Sequence, residues 1–273
     1  MSERFEGLQL RLEEITRKRV FYAIFIFVVL LPPITTPLYG FSQSYAILGE
    51  VLKNSLKPYM FLMPIASVIL LLMIVGVVVY GNRFGRVFSA FVGVNYVLII
   101  VLQNTGMTPS YGYAILLNNL VWIAIVALVW FVEAMVQKTD YTFERLPWWR
   151  YWVVPLSIIA FWAQYSDPWN YHPILLLTSE APLSFCFVTP IFLALLTLLY
   201  PRVNMPVMRV TSFLGIIMGI FNMMGGLAGV FIVDLLTGTH AMFTHMPVLL
   251  ISLYCFRLSI RKKKQREEES DSS

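Results

Sequence analysis

The side chains best suited to chemistry are histidines and carboxylates that cluster at intervals in an otherwise apolar chain. All three histidines fall in segments predicted to face one side of a membrane, together with four acidic residues: His172, His240, His245, Glu50, Asp167, Glu180 and Asp234. Imidazole and carboxylate groups are the usual ligands of zinc and other divalent cations. However, His240 and His245 are five residues apart, which places them about 140° apart on a helix. The spacing therefore predicts no metal site, and no bound cofactor is expected.

Amide side chains inside apolar segments form a second group. Polar side chains in hydrocarbon are costly unless they meet partners or water, so the helices that carry them should turn them toward a common interior. We therefore predict a substrate-binding group at or beyond the membrane midplane on the outer side: Asn95, Asn118, Asn222, Asp234, His172 and His240. No motif for a catalytic nucleophile, a phosphate-binding loop or a redox cysteine pair identifies a catalytic residue.

The elements that must position these residues are membrane-spanning helices. Of the 273 residues, 58% are hydrophobic and 13% are charged, whereas soluble domains average about 25% charged residues. A helix needs about 20 mostly apolar residues to cross a bilayer. The predicted fold is an all-α, polytopic membrane helix bundle with about eight transmembrane helices, near 20–41, 60–80, 87–105, 113–136, 151–166, 183–200, 210–235 and 242–259.

The basic residues predict the orientation of this bundle. Every Lys and Arg except Lys53 and Lys57 lies on one side of the eight-span arrangement. Basic residues near span ends are retained in the cytoplasm, so we expect a multi-pass protein of the cell membrane with both termini cytoplasmic. The charges flank spans and suit anionic lipid headgroups, so the bilayer, and no nucleic acid, is the expected partner.

Three regions follow from this map. Residues 1–19 should form a cytoplasmic amphipathic helix, because Phe5, Leu8, Leu12 and Ile15 recur at three- and four-residue steps. Such a helix lies on the inner membrane surface, and binding to a partner protein is the alternative. Residues 20–260 form the eight-span domain, and the charged tail 261–273 should be a disordered cytoplasmic end.

Two patterns bear on how the helices are arranged. Long and short outer connections alternate twice, which favours a parallel repeat of four plus four spans as one hypothesis. Small residues recur along span seven at Gly215, Gly219 and Gly226, and such residues let helix backbones approach closely. This seam predicts packing inside the chain, and it could instead hold a second copy or a partner helix. Asn222 interrupts the seam, where it would bond to another helix or contact a solute.

Three functions remain open on the sequence. The prolines Pro32, Pro33 and Pro37 should break the outer third of span one, and transporters build substrate sites at broken helices. The favoured function is therefore a small-solute transporter or permease, with a polar vestibule lined by spans one, three, four and seven. The alternatives are a metal-dependent membrane enzyme acting on lipid or envelope precursors, and a non-catalytic assembly or sensory subunit.

Overall fold

The computed structural model describes residues 3–162 and 169–271, and side chains within 6–162 and 169–260. The chain is predominantly helical, with three short strands. The helices are α1 Glu3–Ile15, α2 Arg19–Phe27, α3 Ser44–Asn54, α4 Met63–Tyr80, α5 Asn82–Gln103, α6 Leu117–Val136, α7 Val153–Trp162, α8 Leu175–Thr178, α9 Phe185–Leu199, α10 Met205–Ile232 and α11 Leu235–Asp271. The strands are β1 Ile34–Thr35, β2 Thr105–Thr108 and β3 Gly112–Ile115, and short 3-10 turns cover Val28–Leu30, Phe41–Gln43, Lys57–Leu62, Trp148–Trp152 and Ala181–Leu183.

The described helices are compatible with a membrane protein. Five are long and apolar enough to cross a bilayer: Phe41–Tyr80, α5, α6, α10 and the Leu235–Ile260 part of α11. A sixth span results if Leu175–Leu183 and Phe185–Leu199, which meet at a 92° bend, count as one. The predicted count of eight is not confirmed by length, because the first helix is short and residues 163–166 of the predicted fifth span lie outside the described part.

The structure corrects the boundaries of the first predicted span. Instead of continuing to residue 41, the helix that begins at Arg19 ends in the 3-10 turn at Leu30, and strand β1 follows. Pro32 and Pro33 supply no backbone N–H donors, so a helix cannot continue through them with its hydrogen bonds intact. The sequence predicted the break, and the structure shows that the freed backbone pairs in a sheet.

A small antiparallel sheet marks one end of the bundle, which we call the hairpin end. Its strand order is β1–β3–β2, with Ile115 of β3 opposite Ile34 of β1 and Thr105 of β2. This is a second boundary correction, because residues 113–115 were expected to begin a helix. Instead, β2 and β3 form a β-hairpin. Gly112, the first residue of β3, has a positive φ of 63°, a backbone conformation that favours glycine.

The opposite end, which we call the terminal end, holds α1 and the segment 137–147. Gln9 of α1 and Asn204, just before α10, exchange hydrogen bonds of 2.8 and 3.1 Å, and Lys138 pairs with Glu13 at 3.1 Å. On α1, Leu8 and Ile15 are exposed while Gln9 is buried. The amphipathic helix therefore packs its polar side on its own chain and leaves apolar side chains free beside the bundle.

The core between the two ends is rich in aromatic rings. Phe192 of α9 lies with its ring centroid 5.8 Å from Tyr96, 6.1 Å from Phe88 and 6.1 Å from Trp130, and all four are buried. Aromatic pairs at such distances add to the stabilisation from burial itself. We call Phe88, Tyr96, Trp130 and Phe192 the aromatic block. It ties α5 and α6 to α9.

The glycine seam of α10 is filled by α11 of the same chain. A Cβ atom on Gly219 would lie 2.9 Å from Cβ and 3.0 Å from Cα of Leu249, and one on Gly226 would lie 2.9 Å from the backbone N of Met242. Only glycine permits backbones to approach this closely. The predicted packing role of Gly215, Gly219 and Gly226 inside the chain agrees with this contact.

Two sequence-based hypotheses concern the remaining organisation. The four-plus-four repeat is not confirmed: a β-hairpin joins α5 to α6, whereas only Val233 and Asp234 separate α10 from α11. Helix α11 extends to Asp271, and the disorder expected for residues 261–273 stays a prediction. A sequence rich in Lys, Arg, Gln and Glu has a high helix propensity, which accounts for that extension.

Candidate functional site

The six predicted site residues lie in different surroundings. Asn95 of α5 is buried and donates to the carbonyl of Pro182 at 2.9 Å, while its own Oδ1 accepts no hydrogen bond from the described residues. Asn118 of α6 is partly exposed. His172 is exposed, and its carbonyl accepts a hydrogen bond from the indole of Trp162 at 3.0 Å. None of these three residues lines the polar cavity of the described part.

Two further members lie at the hairpin end, Asp234 just before α11 and His240 within it. Asp234 is exposed and accepts hydrogen bonds from the amide (2.8 Å) and hydroxyl (2.7 Å) of Thr237. These bonds hold the pKa of the Asp234 carboxyl below its usual range, because they stabilise the charged form of an acid that caps a helix N-terminus. His240 is buried against the ring of Trp169, with centroids 5.5 Å apart. Asp234 therefore caps α11, and His240 packs with an aromatic ring.

Asn222 is the only member of the predicted group that lines the polar cavity described here. The cavity lies near the hairpin end and has a volume of about 50 Å³. It is bounded by α3, α5, α6, α9, α10, α11 and the turn before α9. Its polar lining consists of Gln103, Asn104, Asn119, Glu180, Ser184, Cys186, Asn222 and His245. A cavity of this volume holds a few water molecules or a small polar group.

Backbone groups fix the orientation of the amides on α5 and α6. The carbonyl of Ile99 can only accept, so Asn104 donates to it through Nδ2 at 2.9 Å and turns Oδ1 toward Asn119. Asn119 must then donate its own Nδ2 to Asn104, at 2.9 Å. Its Oδ1 accepts no hydrogen bond from the described residues and remains available at the cavity.

Gln103 is fully engaged at the start of α9. Its Oε1 accepts from the backbone N of Phe185 at 3.0 Å, and its Nε2 donates to Ser184 Oγ at 2.9 Å. This side chain from α5 therefore caps a helix 80 residues away in sequence. The bend before α9 is thus held to α5, and α9 begins at the cavity wall.

The same argument applies to α10 and α11. Asn222 donates Nδ2 to the carbonyl of Met218 at 2.8 Å, and with poorer geometry to Cys186 Sγ at 3.5 Å, which leaves its Oδ1 as a free acceptor. His245 has Nδ1 2.7 Å from the carbonyl of Ala241. That carbonyl only accepts, so Nδ1 carries the proton and Nε2 of the neutral ring is an acceptor.

Glu180 supplies the carboxylate of the cavity. It lies between α8 and the turn Ala181–Leu183, is partly exposed, and accepts no hydrogen bond from the described residues. The ammonium of Lys57 interacts with it electrostatically and is itself bonded to Asn54 Oδ1 at 2.9 Å. Glu180 is the only acidic residue among the described residues that line the cavity.

Several of these residues were visible in the sequence, but their directions were not. Asn118 was selected and Asn119 was not, although adjacent helical residues point about 100° apart. The buried face of α6 contains Trp122, Ile123, Val126 and Trp130. At about 100° per residue, Asn119 lies within about 60° of each of them, whereas Asn118 lies about 140° from Ile123. This periodicity was the available signal. No comparable signal existed for Glu180, which lies in a turn.

A second polar cluster is buried at the terminal end, and we call it the Glu133 cluster. The carboxylate of Glu133 on α6 is buried and accepts from the amide of Thr139 at 2.8 Å and from Nδ2 of Asn204 at 2.6 Å. Asn204 also holds Gln9 of α1. The nearby Lys138 pairs with Glu13 of α1. The cluster satisfies its hydrogen bonds internally, as a structural network does.

Asp140 organises the neighbouring segment at the same end. Its carboxylate accepts from Asn82 Nδ2 at 2.8 Å and from the amide of Thr142 at 3.0 Å, and Arg202 lies 3.3 Å away. Hydrogen bonds from Thr142 and Asn82, followed by the charge of Arg202, hold the pKa of Asp140 below its usual range. This group joins the segment after α6 to the turns before α5 and α10.

Among the described residues, no group of three or more His, Cys, Asp or Glu side chains is arranged to hold a metal ion. Comparison with known protein families, curated proteins and solved structures finds no significant match. The fold thus defines the class only as an all-helical bundle compatible with a membrane protein. What its polar cavity does must be argued from geometry.

Proposed function

We propose that the protein is a small-solute transporter or permease of the cell membrane, and that the polar cavity binds the solute. The observation that carries the proposal is the cavity itself, in which eight polar side chains from five helices and the turns beside them converge at the bent entry to α9. Transporters commonly place substrate near the middle of the membrane, at helices that are interrupted there. The proposal assigns Asn222 to the solute site and adds Asn119, Glu180 and His245.

The other five predicted residues are proposed to lie along the path by which solute approaches the cavity: Asn95, Asn118, Asp234, His172 and His240. All five belong to segments near the hairpin end. Under the proposed topology this end faces outward, both termini are cytoplasmic, and the short helix α2 and the helix from Trp148 to Trp162 complete eight crossings. The positions of the basic residues support this arrangement.

The aromatic block supports a two-sided mechanism. The ring of Tyr96 lies 5.7 Å from that of Phe185 at the cavity wall and 5.8 Å from that of Phe192 deeper in the bundle. The block therefore separates the cavity from the terminal end. Alternating access requires such a barrier on one side and its displacement when the other side closes. The bend at the start of α9 and Pro190 within it give this helix two points at which it can move.

The native cysteines provide the test, because both are buried in different surroundings. Cys186 lines the cavity, whereas Cys255 lies in the core beside Thr197, 2.9 Å from its hydroxyl. Variant Cys255→Ser leaves Cys186 as the single thiol. In sealed vesicles of known orientation, a membrane-impermeant methanethiosulfonate reagent should label Cys186 from the hairpin-end side, and more slowly from the other side.

The matched control is Cys186→Ser, which leaves only Cys255. This variant should resist the reagent from both sides, because Cys255 is buried in the core. Labelling of Cys186 from one side only would contradict transport and indicate a binding protein without alternating access. Labelling from neither side would remove the cavity as a solute site.

A further inference from the structure

The cavity presents several hydrogen-bond acceptors that have no partner among the described residues. One amide N–H of each of Asn104, Asn119 and Asn222 is bonded to a group of the protein, as is Nδ1 of His245. Four acceptors accept no hydrogen bond from the described residues, and all belong to side chains that line the cavity: Asn119 Oδ1, Asn222 Oδ1, His245 Nε2 and the carboxylate of Glu180.

These orientations do not depend on an arbitrary choice of amide rotamer. For Asn104, Asn222 and His245 the partner is a backbone carbonyl, which can only accept. Turning any of these side chains would set two acceptors against each other, which leaves a buried group unsatisfied at a cost of about 1–3 kcal/mol. A ligand must therefore supply the hydrogen atoms.

Charge and ring faces act in the same direction. Glu180 adds a carboxylate, and the rings of Phe185 and Phe187 border the same space. A cation is attracted both to a carboxylate and to an aromatic face. The N-terminus of α9 would attract an anion instead, but Gln103 already occupies the amide of Phe185 and Glu180 would repel a second negative charge. The balance favours a positive ligand.

We propose that the cavity selects a small organic cation that carries several N–H donors, such as a protonated amine or a guanidinium group. The inference names the solute class for the transporter proposed above and rests on that assignment of the cavity. Recognition consists of hydrogen bonds from the ligand to the two amide oxygens and the imidazole, and of a charge-assisted bond to Glu180.

The test measures protection of Cys186 in the Cys255→Ser protein, purified in detergent. Methyl methanethiosulfonate is the reagent, since it is small and uncharged. Guanidinium chloride at low millimolar concentration should slow the labelling in a saturable manner. Tetramethylammonium has the same charge but no N–H donor and should protect at least tenfold less well, and sodium acetate at matched ionic strength should not protect.

Two substitutions locate the binding groups. Glu180→Gln removes the charge and should weaken protection by guanidinium about tenfold or more, since hydrogen bonds to charged groups contribute about 1.5–3 kcal/mol. The matched control is Glu50→Gln at the same end of the bundle, where the carboxylate accepts from the amide of Ser110 at 3.1 Å. It should leave protection unchanged. Equal labelling rates without ligand show that each variant keeps the cavity intact.

The outcomes separate this inference from the transport proposal. Equal protection by guanidinium and tetramethylammonium, or none by either, overturns the ligand class even if Cys186 is labelled from both sides in vesicles. Protection by guanidinium with one-sided labelling in vesicles keeps the ligand class and overturns transport. Loss of folding in Glu180→Gln leaves the comparison of ligands on the Cys255→Ser protein decisive.

Discussion

The Glu133 cluster allows a sharp test of the structure, because Asn204→Asp changes one atom and reverses its chemistry. Asn204 Nδ2 donates to Glu133 Oε2 at 2.6 Å and to Gln9 Oε1 at 3.1 Å. Both Glu133 and Asn204 are buried. The substitution replaces that donor with a second acceptor at nearly the same position. Two carboxylates would then face each other without water between them.

The magnitude follows from two limits. At 2.6 Å, two unit charges in a medium of effective dielectric constant 20 repel by about 6 kcal/mol. Protonation offers a cheaper state, because a carboxyl with an ordinary Asp pKa of about 3.9 takes up a proton at pH 7 at a cost of about 4 kcal/mol. Asn204→Asp should therefore lower the free energy of unfolding by about 3–4 kcal/mol at pH 7.

The assay is unfolding of the protein in mixed micelles, titrated with dodecyl sulfate at several pH values. The folded variant holds a proton that its unfolded chain releases, so the new pair has a raised pKa in the folded state. Its destabilising effect should be small near pH 4 and should grow as the pH rises.

The second arm of the test exchanges the two side-chain types. Adding Glu133→Gln to Asn204→Asp restores a donor opposite a carboxylate and keeps an oxygen for the amide of Thr139. Most of the lost stability should return, with about 1 kcal/mol missing for the bond that Gln9 no longer receives. The reasoning is refuted if Asn204→Asp costs less than about 1 kcal/mol at pH 7, or if the double variant is no more stable than the single one.

Three further predictions concern other parts of the chain. Gly219→Ala should destabilise the protein by about 1–3 kcal/mol through forced separation of α10 and α11, whereas Gly49→Ala, with no atom within 4 Å of the added Cβ, should be neutral or stabilising in the same unfolding assay. In a background without native cysteines, Ser44→Cys should react with an impermeant thiol reagent from outside and Asn82→Cys only from inside, and the reverse pattern would overturn the proposed topology. Asp140→Asn should reduce thermal stability at pH 6–7, and the difference should shrink as the pH falls below the ordinary Asp value of about 3.9, because the pKa of Asp140 is lowered in the fold and its stabilising contribution is lost as the pH falls through that lowered value; an unchanged difference at low pH would contradict the assigned bonds.

Local features of the sequence determined the helical character and several boundaries. Long apolar segments predict helices because only hydrogen bonds within the segment satisfy the backbone in hydrocarbon. Pro32 and Pro33 mark the end of the first helix because proline lacks the N–H that a helix requires. Gly219 and Gly226 predict a close helix contact because they have no Cβ to hold the backbones apart. Each inference depends on a few neighbouring residues, and the described structure agrees with each.

The composition of the cavity was decided only by the tertiary structure. Asn118 and Asn119 are chemically identical neighbours, and the rotation of α6 against α5 and α10 determines which of them faces the cavity. Gln103 is the last residue of α5, yet it caps α9 across 82 residues of sequence. Glu133 meets Asn204 across 71 residues. Periodicity along one helix fixes which residues share a face, whereas the partner of that face depends on contacts between segments far apart in the chain.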